Sequence, residues 1–136
     1  MEARAVWQGG FETRLEDGRG HSVVVDLPVG EGGKNVGPSS LELMVLSLAG
    51  CISTIFALVA RKRKLSFTGF TVHLTAERPP HAPTVQRVRG TVEVRSSASA
   101  EEVGTALRLT LKTCPVGVLL EQAHVPVDIG WTVLSP

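Results

Sequence analysis

The chain has no tyrosine, and aromatic residues fill 4% of its 136 positions. That scarcity excludes the aromatic platform on which single-stranded nucleic acids stack. An excess of either charge is also missing: 14 Lys and Arg stand against 13 Asp and Glu, for a formal net charge of +1. Binding of nucleic acid, or of an acidic membrane surface, through bulk charge is therefore not expected. The opening residues MEARAVWQGG contain no apolar run of the kind that directs secretion. Cysteine is nearly absent too, with Cys51 and Cys114 as the only two. In a chain without an export signal, they are expected to be reduced thiols in the cytoplasm rather than a structural bridge. The length suits a single domain over residues 1–136, able to bury a core without disulfides.

What is present reads as α+β. Residues 4–15 have the composition of a strand, with Gly9–Gly10 inside it at a bulge. Asp17-Gly18 marks a turn, and His21–Leu27 follows as a β-branched strand, which predicts an N-terminal hairpin. A Gly-rich loop runs from Pro28 to Pro38. Gly69–Glu77 and Val85–Arg95 alternate as strands, joined by a proline-rich connection, and Val127–Leu134 is a last strand. Three helices are predicted. The first opens on Ser39 and Glu42 in capping-box spacing and runs to about Arg63. The second opens on Ser99 and Glu102 and ends near Lys112. The third starts at Cys114-Pro115, with proline in the first turn, and ends near Gln122.

The first of these helices is unusual. Leu43–Ala60 is a stretch of 18 residues without a charge, followed by Arg61-Lys62-Arg63-Lys64. Its length sits at the lower edge of a membrane span, and the basic flank fits that reading. Ser47, Gly50, Ser53 and Thr54 dilute it, and the surrounding chain has the pattern of a globular domain. The better reading is a helix buried on nearly all sides, one face under a sheet of the same chain and the other under a second subunit. A homodimer with this helix at its centre is expected, and no membrane partner. The basic residues then complement the negative end of the helix dipole.

Cys51 lies in the middle of this helix, where a cysteine is most often a small inert hydrophobe. Cys114 stands at a helix start, where free N–H groups and the dipole favour thiolate, although Thr113 could cap there instead. A buried helical thiol and a cap-position thiol, with no others, fit a dithiol–disulfide cycle.

At these residues the chain resembles the OsmC/Ohr family, the osmotically inducible and organic hydroperoxide resistance proteins. GPSSLELMVLSLAGC, ending at Cys51 and followed by RKRK, is similar to the family's first-cysteine motif. DLPVGEGGKNVGP resembles its Gly-rich approach, and LKTCPVGVLLEQ its second-cysteine motif. The resemblance runs from about Arg19 to Trp131. It implies an intertwined homodimer in the order strands, long central helix, strands, two helices, strand. It further implies that Cys51 is the peroxidatic thiol and Cys114 the resolving thiol, in a cycle that reduces organic hydroperoxides. A thiol or dithiol reductant would close the cycle, with no metal or organic cofactor. The better-known peroxidase branch sets an Arg and a Glu beside its reactive cysteine. Here Leu41 stands in the Glu position and Glu42 falls one residue late. Glu42 precedes Cys51 by nine residues. At roughly 100° per residue this places it on the opposite side of the helix, as a cap rather than a catalytic group. Phe11 follows Gly9–Gly10 where the Arg is often found, which leaves Arg14, Arg19 and Lys34 as substitutes, Arg19 first. These departures keep an alternative open: a non-enzymatic dimer that binds a small apolar ligand at its interface.

VGEGGKNVG is not a phosphate loop, because Pro28 occupies the required first glycine and Asn35 follows Lys34 where Ser or Thr belongs. His21, His73, His81 and His124 have no metal-ligand spacing, and His124 reads as a helix C-terminal cap.

Overall fold

The structure, a computed structural model, describes residues 1–136. Its elements are β1 (Arg4–Gly9), β2 (Glu12–Glu16), β3 (Ser22–Val25), α1 (Ser40–Arg63), β4 (Gly69–Glu77), β5 (Arg87–Arg95), α2 (Ala100–Thr113), α3 (Pro115–Gln122) and β6 (Val127–Leu134). The architecture is α+β, with two three-stranded sheets and three helices. The chain divides into two compact units, Met1–Met44 and Val45–Pro136.

The first unit is an antiparallel meander, β1-β2-β3. The single strand expected over residues 4–15 is instead two strands, and this corrects the sequence reading. The irregularity expected at Gly9 exists, as a register shift between Trp7 and Gly9. The chain then reverses at once, because Gly9 and Gly10 both hold positive φ, at 119° and 57°. Glycine enters that region without the Cβ penalty. The Trp7 indole N–H donates to the Gly10 carbonyl at 2.9 Å and closes the turn. Cross-strand register puts Ala5, Leu15 and Val23 in one row and Trp7, Thr13 and Val25 in the next, on one apolar face. Of these, Val25 alone is buried, and Trp7 is 70% exposed.

The Pro28–Pro38 loop of the same unit is organised by Asp26, a buried carboxylate that the sequence reading did not single out. Its Oδ2 accepts from the backbone N–H of Lys34 at 2.8 Å and of Val36 at 3.3 Å. Gly33 and Gly37 press against the Leu27 and Val24 carbonyls, where any Cβ would collide with backbone. The signal that could have revealed this was an Asp at the head of a Gly/Asn loop, a side chain suited to hydrogen-bonding nearby backbone.

The second unit holds the core. β5 is central, antiparallel to β4 and parallel to β6, with α2 and α3 forming the crossover between the parallel pair. The inward row of β5 is Val88, Val92 and Val94, all fully buried. The amphipathic α2 buries Val103, Ala106, Leu107 and Thr110 and opens on the expected Ser99–Glu102 capping box. From α1, Leu48, Ile52, Phe56 and Ala60 recur every four residues and form one buried stripe. Phe56 meets Phe67 and Phe70 at ring centroid distances of 5.5 and 5.0 Å. Within a single chain α1 is thus buried along a stripe rather than on nearly all sides. Leu46 and Leu58 on its other faces are exposed. By length and composition α1 is apolar enough to cross a membrane, and 28% of that stretch is buried.

Candidate active site

Cys51 lies on α1 one residue before the buried Ile52 and is itself half-buried, at the edge of the stripe. Cys114 sits at the break between α2 and α3, where the helix axes bend by 57°. The break follows from the sequence. Pro115 pushes the residue before it out of the helical region, and Cys114 takes φ −67°, ψ 111°. Proline then starts α3, where its missing N–H costs nothing. Thr113 does not cap α3, because its hydroxyl donates back to the Leu109 carbonyl at 2.8 Å. Cys114 therefore occupies both the C-cap position of α2 and the N-cap position of α3.

These two positions bring the sulfurs together across 63 residues of sequence: Sγ of Cys114 lies 2.9 Å from Sγ of Cys51, with both thiols free. A disulfide bond is about 2.05 Å long, so once an oxidant has taken two electrons from the pair only a small approach is needed. Cys114 is 1% exposed. It borders a cavity of about 30 Å³ walled by Leu48, Ile52, Leu111, Val127 and Ile129. Burial in that apolar wall, and then the neighbouring Cys51 sulfur, push the Cys114 thiol up to about 11, while the backbone N–H groups of Gly117 and Val116 pull the other way. No lysine or arginine acts on it. Cys114 is thus a neutral thiol at pH 7.

The other residues singled out in the sequence fall elsewhere. Glu42 closes the capping box, accepting from the Ser39 N–H at 2.7 Å. That bond holds its carboxyl below the usual range. Arg19, the first choice of activating cation, lies in the β2–β3 turn of the first unit, 79% exposed, with Nε 3.1 Å from the Asp17 carboxylate. The other two cations are also paired within that unit, Arg14 with Glu16 at 3.2 Å and Lys34 with Glu12 at 3.2 Å. His21 bonds Asp17 at 2.7 Å. His124 takes φ 57° after α3 and donates its backbone N–H to the Glu121 carbonyl, as a helix terminator does. No group of three or more His, Cys, Asp or Glu side chains is placed to hold a metal ion.

The family model described as OsmC-like protein matches residues 31–130, a span that holds both cysteines. The chain belongs to the OsmC family. Solved OsmC-like structures share its fold over nearly the whole length. An OsmC-like protein from Mycoplasma pneumoniae has a TM-score of 0.87 at 16% identity, covering 98% of this chain and 96% of that one. An organic hydroperoxide resistance protein from Elizabethkingia anophelis has a TM-score of 0.75 at 16% identity, over 98% and 97%. The organic hydroperoxide resistance protein OsmC from Legionella pneumophila has a TM-score of 0.72 at 16% identity, over 97% of each chain. No curated protein matches the sequence significantly.

Proposed function

We propose that this OsmC-family chain is a thiol-dependent peroxidase that reduces organic hydroperoxides, in defence against oxidative stress, through a Cys51/Cys114 dithiol–disulfide cycle. The observation that carries the reading is the 2.9 Å separation of two free sulfurs, one half-buried and one sealed from solvent. The Cys51 thiolate attacks the terminal oxygen of the hydroperoxide. The O–O bond breaks, the alkoxide gains a proton and leaves as the alcohol, and Cys51 becomes a sulfenic acid. The Cys114 sulfur then attacks the Cys51 sulfur. The S–O bond breaks, hydroxide departs with the Cys114 proton as water, and the disulfide forms. The peroxide has gained two electrons and the two cysteines have lost two. A thiol or dithiol reductant returns both by exchange, in a reducing compartment such as the cytoplasm. No cofactor is needed for these steps. The names of the Legionella and Elizabethkingia proteins support organic hydroperoxides as the substrate class.

The working form in this proposal is a homodimer. Support comes from the bare apolar face of β1-β2-β3 and from Leu46 and Leu58 on α1, which a second copy would cover rather than a membrane. Arg19 remains the first candidate for a cation that would steady the Cys51 thiolate, on exchanging Asp17 for the sulfur.

Stopped-flow mixing of the reduced protein with cumene hydroperoxide tests the activity. Wild type should consume the peroxide, Cys51→Ser should not, and Cys114→Ser should turn over once without forming an internal disulfide. Consumption by Cys51→Ser at the wild-type rate would overturn the proposal.

A further inference from the structure

We propose that Cys114 also prepares the attack: its S–H donates a hydrogen bond to the Cys51 sulfur and steadies the Cys51 thiolate before any peroxide arrives. The inference rests on the peroxidase reading above and assigns the resolving thiol an earlier task within it. Two sulfurs 2.9 Å apart cannot both carry charge, so the surroundings decide which one ionises. Cys114 is walled by aliphatic side chains from α1, α2 and β6, and the one charged group lining its cavity is Glu121 of α3. Cys51 is half-buried and is the more open of the two sulfurs. The proton then stays on Cys114, whose Sγ is placed as donor to the Cys51 Sγ.

Backbone N–H groups of Val116 and Gly117, at the start of α3, act on the same Cys114 sulfur. They polarise the S–H along a chain from the helix start through Cys114 to Cys51. The start of α3 lies close to the sulfur: a Cβ at Gly117 would stand in ordinary contact with it, at 3.7 Å. The arrangement answers a shortage elsewhere, because Arg14, Arg19 and Lys34 are each already paired with a carboxylate. The donated proton is afterwards the one that leaves with hydroxide as water when the disulfide closes. One group therefore serves the attack as donor and the resolution as nucleophile.

The test is the pH dependence of Cys51 alkylation by iodoacetamide, followed by mass spectrometry of the Cys51 peptide, in wild type, Cys114→Ala and Cys114→Ser. Loss of a hydrogen bond to a charged group should raise the alkylation midpoint in Cys114→Ala by about one pH unit, a tenfold change in the ionisation constant. Cys114→Ser retains an O–H donor and should restore the midpoint toward wild type. An unchanged or lowered midpoint in Cys114→Ala overturns the inference, as does an equal rise in both variants, which would mark a packing effect. If the midpoint is unchanged while Cys51 still consumes cumene hydroperoxide, this inference falls and the peroxidase reading stands.

Discussion

The two units of the chain differ in what they bury. Val45–Pro136 encloses Leu48, Ile52, Phe56, Val88, Val92 and Leu107 completely, together with Cys114. Met1–Met44 buries one apolar side chain, Val25, and one carboxylate, Asp26. Both have strands with a clear apolar face, but α2, α3 and most of α1 belong to the second unit. Alternation of apolar residues along a strand therefore specifies a face without specifying what covers it. A small sheet with an open apolar face gains stability when another surface covers that face.

The sharpest way to break this contrast is a core truncation in the second unit. Phe56→Ala should cost about 3–5 kcal/mol in urea unfolding, because it removes the ring that meets Phe67 and Phe70. A cost below about 1 kcal/mol would mean that this unit is not the stable part of the molecule. The matching change in the first unit is Trp7→Asp with Val23→Asp, on its open apolar face. If the proposed homodimer forms through this face, sedimentation velocity should show its association weakened about tenfold or more, with the secondary structure retained. An unchanged dimer would place the interface elsewhere.

A smaller effect separates the units by pH. The Cys114 thiol is raised from 9.0 to about 11, so the native state holds its proton more tightly than the unfolded chain does. The contribution is complete below about pH 9 and is lost as pH rises through about 11. Urea unfolding at pH 8 and pH 10.5 should show a drop that Cys114→Ala reduces. In the first unit the sign is opposite. Asp17 is held below its usual range, first by the His21 hydrogen bond and then by the Arg19 backbone N–H. Its contribution is present above the ordinary carboxylate pKa of about 3.8 and fades as pH falls below it. Smallest are the helix caps, one in each unit. Ser39→Ala and Ser99→Ala should each cost about 1 kcal/mol of unfolding free energy, and a loss at one site but not the other would show that only one capping box matters.

Much of the second unit was legible in the sequence. The spans read for β4 and β6 agree with the observed strands, because their alternation is regular and their ends are marked by turn residues. The start of α3 was legible from Cys114-Pro115, since proline constrains both itself and its predecessor. The first unit was read less well. A Gly-Gly pair supports a bulge or a reversal equally, and the choice depends on which residues pair across it. Arg14 and Glu16 share one face of β2, two residues apart, whereas Lys34 reaches Glu12 from the loop across 22 residues, a pairing that no local pattern shows. The two thiols were visible as a pair, but their approach depends on packing between α1 and the α2–α3 break, which no local pattern encodes.

The fate of those two sulfurs decides whether the cycle operates. Reduced protein is treated with one equivalent of cumene hydroperoxide, digested without reductant and analysed by mass spectrometry. A Cys51–Cys114 disulfide within one chain is expected, formed in step with release of the alcohol. Cys51 left as thiol, or oxidised to sulfinic acid with Cys114 still free, would contradict it.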